Sequence, residues 1–401
     1  MLADADLQSR YPHIRFQLHW DLSPDVTYQL GQCQAIVDAL CELPMQPSYR
    51  KRRLKVSLNK GAQATTAIEG NTLTHDEVAK VAEGEPLSKS KAYQAQEVAN
   101  ILDAMNSLLG RVASDADVQV ITPQLIKEFH VMVGRDLGEH FDAIPGRFRQ
   151  DERVVGPYKT PRHEDVPELV RLMCEWLKAQ FGFSSGRQTF KEAVVQAIVT
   201  HVYLEWIHPF GDGNGRTGRL VEFYILLRAG NPDIASHVLS NFYNETRPEY
   251  YRQLDRASKD KDLTAFIRYA VQGYLDGLTE SLTHVKDSMI EVAWRYLVHE
   301  TFAEHKTLKK EVFKRRRRLV LFMPLNTWLG LDQLPLLEAS LAREYAQLSE
   351  RTLERDLEAL KDMNLIVEDD GKFQPNLALL VPHMARRRRV VKPGAEEPLR
   401  G

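Results

Sequence analysis

The chain has 401 residues, of which 43% are hydrophobic, and its formal net charge is −2. This composition has no extreme feature, so it predicts a soluble globular protein of two or three domains. No run approaches the roughly 18 apolar residues of a transmembrane helix, and the start lacks a basic and then apolar signal peptide. We therefore expect a cytoplasmic protein with no membrane partner. Cys33, Cys41 and Cys174 form no C-x-x-C pair, which argues for reduced thiols and against disulfides or zinc.

Helical periodicity dominates the chain and alternating strand patterns are scarce, so the predicted fold class is mostly α. Residues 1–118 are predicted to form an N-terminal helical region. One helical pattern runs from Lys51 to Ile68, and Gly70 is placed to end it as a left-handed cap. Thr74 and Glu77 have the spacing of a capping box that starts another helix.

Residues 119–277 are predicted to form the core. Thr122 followed by Pro123 is typical of a helix start, and that helix continues through Val133. The β-prone residues 153–158 then predict a short hairpin, and a further helix begins near Asp165.

The segment 208–219 reads HPFGDGNGRTGR and lies between two apolar helical patterns. Pro209 disfavours α geometry at His208, which ends the first helix and begins a loop. The second helix follows Gly215 and closes at Gly230. The glycine-rich turn is therefore predicted to lie at a helix N-terminus, where unpaired backbone N–H groups bind anions.

The side chains of this turn have complementary chemistry. Arg216 and Arg219 lie three residues apart, on neighbouring positions of one helix face, and guanidinium groups bind phosphate oxygens. Asp212 offers a hard oxygen ligand for Mg²⁺, and His208 is the obvious proton acceptor. Together with the backbone of 213–215, these groups indicate a nucleotidyl-transfer site.

The same stretch resembles the signature of the Fic family, His-x-Phe-x-Asp/Glu-Gly-Asn-Gly-Arg-x-x-Arg, at every fixed position. The resemblance implies a Fic-fold helical core and a protein adenylyltransferase that uses ATP and Mg²⁺. It implies His208 as the base, Asp212 as the Mg²⁺ ligand, and Arg216 and Arg219 as ligands of the β- and γ-phosphates. Gly213, Asn214 and Gly215 would cradle the phosphates. The acceptor would be a Ser, Thr or Tyr hydroxyl of a protein, which could be this chain itself.

Gly213, Gly215 and Gly218 also satisfy the dinucleotide fingerprint G-x-G-x-x-G. That interpretation requires a strand before the turn, whereas the sequence predicts a helix there.

Residues 65–70 match a second pattern of the Fic family, Ser/Thr-x-x-x-Glu-Gly/Asn, which marks an inhibitory helix. The resemblance implies that Glu69 pairs with Arg219 and blocks productive placement of the nucleotide γ-phosphate. The six-residue pattern by itself is also compatible with a solvated charge at a helix end.

Two further sites follow from the resemblance. The hairpin, with Val155 and Gly156, would be a flap that binds an extended target segment by main-chain pairing, although an ordinary surface hairpin remains an alternative. Tyr250 and Tyr251 would help to enclose the nucleobase, but tyrosines at helical spacing also serve as core residues. Many family members have Asn where this chain has Ser258, so that base contact is open.

Residues 286–385 are predicted to form a small winged-helix-like α/β domain with helices over 336–345 and 349–363, the second capped by Ser349. A strand over 365–368 enters a hairpin turn. Two basic runs, 315–318 and 386–389, suggest DNA, but the second helix carries mixed charges that suit a protein partner better. Residues 386–401 are predicted to be a basic, disordered tail.

The sequence leaves two other functions open. Glu69 could align a water that removes AMP from a modified protein, which would make the enzyme a deAMPylase. Alternatively, a catalytically weak core could sense a nucleotide for a DNA-binding regulator. A homodimer is also left open.

Overall fold

The computed structural model describes residues 2–114, 120–182, 188–305 and 310–380. The chain divides into two compact units, residues 1–283 and 284–401. The predicted N-terminal region and the predicted core both fall within the first unit. The predicted boundaries at 118, 277 and 286 stay predictions.

The first unit is built from helices, as the periodicity predicted. Its helices are α1 Leu2–Arg10, α2 Pro24–Glu42, α3 Pro47–Ala67, α4 His75–Ala82, α5 Ala92–Ser114, α6 Pro123–Gly134, α7 Val166–Gln180, α8 Phe190–Ile207, α9 Asn214–Arg228, α10 Val238–Glu245, α11 Arg247–Asp260 and α12 Thr264–Glu304, which ends in the second unit. None of the helices in the described residues is long and apolar enough to cross a membrane.

Helices α8 and α9 form the centre of this unit. Most side chains of both are buried. Helix α8 is apolar on nearly all sides, whereas α9 also buries polar and charged residues in its first turns. Helices α3, α5 and α6 pack against α9, and α2 and α7 pack against α8. The loop between α8 and α9 is therefore attached at both ends to the best-packed part of the unit.

The predicted local signals are present. Thr74 and Glu77 form a complete capping box, and the Thr122 hydroxyl accepts the Leu125 N–H at the start of α6. The hairpin pairs β1 Val154–Val155 with β2 Tyr158–Lys159 in antiparallel register. The segment before the glycine-rich turn is a helix, so the turn lacks the strand that a dinucleotide fingerprint needs. The mostly α fold with a short β-hairpin is confirmed.

The second unit contains the end of α12, then α13 Lys310–Phe322, β3 Leu329–Gly330, α14 Ala339–Tyr345, α15 Glu350–Asp362, β4 Ile366–Asp369 and β5 Lys372–Pro375. The strands form an antiparallel sheet in the order β3-β5-β4. The helix predicted over 336–345 is instead a short 3-10 turn, Leu334–Leu337, followed by α14. Ser349 is the N-cap residue of α15, as predicted, but among the described residues its hydroxyl meets the Thr352 hydroxyl (3.1 Å) and not a backbone N–H. A winged-helix-like domain stays a prediction.

The basic run 315–318 is largely neutralised inside this unit. Asp356, which is 1% exposed, accepts hydrogen bonds from Arg315 Nε (2.6 Å), Arg316 Nε (2.7 Å) and the Tyr345 hydroxyl (3.0 Å). Arg318 lies within 3.4 Å of two glutamates. Guanidiniums that already have carboxylate partners neutralise fewer DNA phosphates, so fewer counterions are released from the DNA. These contacts therefore weaken the hypothesis that the run binds DNA. The second basic run, 386–389, and the predicted disordered tail lie outside the described residues.

Candidate active site

The loop between α8 and α9 has an unusual backbone at each end. His208 ends α8 in the left-handed region (φ 50°, ψ 60°), where the following Pro209 does not clash as it would with an α-helical residue. Gly213 precedes α9 with φ 75°, a conformation that glycine adopts without a steric penalty. The two residues turn the chain sharply and leave the first N–H groups of α9 at the loop.

Asn214 fixes this loop through its side chain. Its Oδ1 accepts the Phe210 N–H (2.8 Å), its Nδ2 donates to the Phe210 carbonyl (2.8 Å), and it is 3% exposed. Arg149 adds a second restraint because its Nε donates to the His208 carbonyl (2.8 Å). The Asn214 side chain thus holds the loop conformation through both ends of its amide.

The His208 imidazole lies at the start of the loop and is partly buried. Burial lowers the pKa of His208 to about 4, and the Arg149 charge acts in the same direction. The Glu205 carbonyl and the Glu69 carboxylate oppose this shift without overcoming it. The ring is therefore neutral at pH 7 and has a lone pair that can accept a proton.

Arg216 is held by two carboxylates rather than facing solvent. Its Nη1 donates to Glu97 Oε1 and its Nη2 donates to Asp212 Oδ1 (2.8 Å), and its side chain is 4% exposed. The second Glu97 oxygen accepts from Asn71 Nδ2 (3.0 Å). Asp212 Oδ1 also accepts the Gly213 N–H (2.5 Å), and the Asp212 side chain is 31% exposed.

Arg219 contacts the end of α3, which lies about 150 residues earlier in the chain. Its Nη2 donates to Glu69 Oε1 (2.5 Å) and to the Thr65 carbonyl (2.9 Å), and its side chain is 1% exposed. A methyl group on Gly215 would overlap Glu69 Oε1, which shows how closely the carboxylate approaches the first turn of α9. The Glu69 carboxylate thus lies where backbone N–H groups and the helix dipole favour an anion.

The charge of Glu69 is stabilised in this position. Burial alone would raise the pKa of Glu69, but the Arg219 guanidinium, with Arg216 and His208, outweighs it and holds the pKa below its usual value. The pKa of Arg219 is correspondingly raised by Glu69 against the opposing effect of burial. Both groups are ionised at neutral pH, so the contact is a charge-assisted hydrogen bond.

A cavity of about 410 Å³ opens between the hairpin, α8 and α11. Its lining residues are Val155, Gly156, Pro157, Tyr158, Glu205, Trp206, Tyr251, Leu254, Asp255 and Ser258. Tyr250 is absent from this wall: it is 1% exposed, bonds His201 Nε2 through its hydroxyl (2.9 Å), and stacks on Tyr243. Tyr251 is therefore the member of the predicted pair that can meet a base, and Tyr250 is placed as a core residue.

A second cavity of about 400 Å³ lies next to Gly211 of the loop. Asp142, Arg147, Phe148 and Arg153 are among its lining residues. It offers an approach toward the loop that does not pass through the first cavity.

Glu97 and Arg149 are the site residues that the sequence prediction missed. Glu97 had a detectable signal, because it shares one helix face with Ile101, Ala104 and Leu108 at i, i+4, i+7 and i+11. A carboxylate in an apolar stripe is costly to bury without a cationic partner. Arg149 had no such signal, since its partners are backbone carbonyls set by the loop conformations.

Comparisons with known proteins agree on one family. Residues 120–226 match the sequence model of the Fic/DOC family. A protein adenylyltransferase fic-1 from Caenorhabditis elegans is 29% identical over 231 residues, covering 56% of this chain and 42% of that protein. A protein adenylyltransferase Fic from Nematostella vectensis is 29% identical over 236 residues, covering 59% of this chain and 51% of that protein.

Solved structures agree as well. A Fic family protein from Desulfovibrio desulfuricans G20 superposes with a TM-score of 0.54 over 90% of this chain and 98% of that chain, at 20% identity. Residues 134–508 of Fic-1 from C. elegans give a TM-score of 0.51 over 66% and 74%, at 26% identity. The fold and the loop motif define a Fic-type helical protein, and residues 120–226 of the chain are similar to the Fic/DOC family. It spans about half the length of the curated relatives that it matches.

Proposed function

We propose that this protein is a protein adenylyltransferase that Glu69 holds in an inhibited state. The observation that carries the proposal is the Glu69 carboxylate, bonded to Arg219 at 2.5 Å and pressed against Gly215 at the N-terminus of α9. The Glu69 carboxylate thus takes the place of the anion that the N-terminus of α9 favours. The curated relatives are named protein adenylyltransferases, which supports the same class of reaction.

The proposed reaction transfers AMP from ATP to a protein hydroxyl. The neutral imidazole of His208 accepts the hydroxyl proton as the hydroxyl oxygen forms a bond to the α-phosphorus. The bond between the α-phosphorus and the oxygen that bridges it to the β-phosphorus breaks, and pyrophosphate leaves. The N–H groups of 213–215 with Arg216 and Arg219 stabilise the phosphates, so positioning and charge neutralisation supply most of the rate enhancement.

Asp212 fits the role of the Mg²⁺ ligand. Its partly exposed carboxylate stands at the loop, and Mg²⁺ typically binds one or two carboxylates together with substrate phosphates. Within the residues that the structure describes, no cluster of three or more acidic, His or Cys side chains forms a protein-only metal cage. Mg²⁺ bound there would neutralise charge on the phosphates and the leaving pyrophosphate.

The nucleobase is proposed to bind in the cavity beside Tyr251, with the hairpin residues Val155 and Gly156 on the opposite wall. An acceptor segment is proposed to pair with the hairpin and to approach His208 along the second cavity. Its acceptor residue would be Ser, Thr or Tyr.

Glu69 would inhibit the reaction both by its charge and by the space that it occupies. While Glu69 holds Arg219, the guanidinium is withdrawn from the γ-phosphate, and a negative carboxylate occupies the same region. Glu69→Gly should therefore raise AMP transfer. A charge-assisted hydrogen bond contributes about 1.5–3 kcal/mol, so the gain should be at least about tenfold.

The test compares wild type, Glu69→Gly and Glu69→Gly/His208→Ala for AMP incorporation by mass spectrometry, with nucleotide affinity measured by calorimetry. Glu83→Gly is the matched control, because Glu83 pairs with the exposed Lys55 at another helix end. We expect activation by Glu69→Gly, no change in Glu83→Gly, and loss of transfer with retained ATP binding in the double variant. If Glu69→Gly labels no better than wild type over a range of ATP concentrations, inhibition by Glu69 is wrong.

One observation also favours removal of AMP. The Glu69 carboxylate lies against Gly215 in the first turn of α9, next to the loop that carries His208, so it could align a water for attack on the phosphorus of an AMP ester, with the protein hydroxyl as the leaving group. In that case Glu69→Gly would abolish release of AMP from a modified target. The two outcomes of the same substitution separate transfer from removal.

A further inference from the structure

The last turn of α3 carries two backbone carbonyls that side chains from other helices satisfy. The Thr65 carbonyl accepts from Arg219 Nη2 (2.9 Å). The Ile68 carbonyl accepts from Arg247 Nη2 (2.5 Å) and from the Tyr251 hydroxyl (3.1 Å). Carbonyls at a helix C-terminus lack partners within the helix, and cationic donors are favoured there. The turn before Glu69 is therefore held by side chains from other helices.

Both donors to the Ile68 carbonyl come from α11. Arg247 and Tyr251 are four residues apart and share one face of that helix, and the Arg247 guanidinium lies 6.0 Å from the centre of the Tyr251 ring. Each side chain thus restrains the other, and both donate a hydrogen bond to the Ile68 carbonyl oxygen. We call Arg247, Tyr251 and the Ile68 carbonyl the α11 clamp.

The clamp acts on Glu69 through the peptide bond. The Ile68 carbonyl and the Glu69 N–H belong to the same planar unit, so fixing that oxygen fixes the plane in which Glu69 begins. Gly70 follows with φ 99°, a conformation that glycine adopts without a steric penalty. The direction of the Glu69 side chain therefore depends on how the Ile68 carbonyl is held as well as on the backbone hydrogen bonds of the turn.

We propose that Arg247 is a positioning residue, which with the Tyr251 hydroxyl holds the peptide plane before Glu69 and so sets how strongly Glu69 blocks Arg219. The proposal rests on the proposed function. Tyr251 also borders the cavity beside the hairpin, so one side chain contacts both the proposed nucleobase site and the inhibitory turn. Weakening the clamp shifts the turn toward conformations in which Arg219 is free.

The first test is a comparison of Arg247→Ala in wild type and in Glu69→Gly. In wild type, transfer should rise about three- to tenfold, the effect of one partly exposed hydrogen bond to a charged donor. In Glu69→Gly the same substitution should change nothing, because the blocking carboxylate is already gone. Arg247→Lys keeps a cationic donor and should restore part of the inhibition. An equal change in both backgrounds would mean that Arg247 acts on the reaction by another route.

Arg252→Ala is the matched control. Arg252 lies on the same helix, its side chain is 75% exposed, and it pairs with Glu249 in the adjacent turn. It should leave transfer unchanged in both backgrounds.

A second measurement does not depend on transfer activity. The amides of Glu69, Gly70 and Asn71 donate to carbonyls of residues 66 and 67, so their hydrogen exchange reports opening of the turn. Arg247→Ala should speed exchange over residues 68–71 and Arg252→Ala should not. Unchanged exchange would overturn the proposal. If Glu69→Gly shows no transfer, the proposed function fails, and exchange still decides on the clamp.

Tyr251→Phe removes only the hydroxyl, which is a smaller change than the removal of the Arg247 side chain in Arg247→Ala. The ring that faces the cavity is kept, so KM for ATP should stay constant while kcat rises about two- to threefold. A rise in KM at constant kcat would show that the hydroxyl serves the nucleotide and would remove Tyr251 from the clamp.

Discussion

Replacing Glu97 with alanine would leave the buried Arg216 guanidinium without its principal partner. Glu97 and Arg216 side chains are 9% and 4% exposed, and the pair joins α5 to the first turn of α9. The same substitution removes the acceptor of the Asn71 side-chain amide at 3.0 Å. Arg216 would keep only Asp212 (2.8 Å) among the carboxylates that hold it in the described residues.

The expected loss of stability follows from this burial. Removing one partner of a buried ion pair costs about 3–5 kcal/mol because the other charge is left uncompensated. Asp212 remains and its side chain is 31% exposed, so some water can reach the guanidinium. We therefore expect the low end of the range, about 3 kcal/mol. For a unit that spans residues 1–283, with an unfolding entropy of about 2.1 cal/mol/K per residue, that corresponds to a fall in Tm of about 5 °C.

Thermal unfolding of wild type and Glu97→Ala measures the change directly. Asp103→Ala is a strict control because Asp103 lies on the same helix and also pairs with an arginine, but both side chains of that pair are at least half exposed. The control should lose less than about 0.5 kcal/mol. Glu97→Gln, which keeps one of the two acceptor oxygens, should fall between them. A Glu97→Ala change no larger than that of Asp103→Ala would refute the reasoning that burial makes the Glu97–Arg216 pair important.

Two more predictions concern other buried charges. Burial and Arg149 lower the pKa of His208 to about 4, so the imidazole is already neutral above that pH. The kcat/KM of Glu69→Gly should therefore fall only as the pH approaches 4. A fall in kcat/KM near pH 6.5 would contradict this prediction. Asp356→Ala should destabilise the second unit by about 3–5 kcal/mol, because it leaves Arg315 and Arg316 without their shared carboxylate. Denaturant unfolding followed by tryptophan fluorescence measures it, and a loss below about 1 kcal/mol would show that water replaces Asp356.

The sequence by itself determined the local structure and the identity of the loop. Caps such as Thr74 and Thr122 act over three or four residues, and the Pro209 restriction acts on its immediate neighbour, so short-range chemistry is sufficient to predict them. The motif from His208 to Arg219 was recognisable for the same reason, since all its chemical groups are contiguous. The resemblance to a known family then related Glu69 to Arg219 across 150 residues.

Only the tertiary structure decided what each side chain contacts. Arg216 and Arg219 were expected at neighbouring positions of one helix face, and the packing of α3 and α5 against α9 buries the two guanidiniums against different carboxylates. The adjacent tyrosines 250 and 251 differ for the same reason, because residues next to each other on a helix point in directions about 100° apart. One ring meets the core and the other meets the cavity. Periodicity fixes the angle between two side chains, whereas the neighbouring helices decide which of them is enclosed.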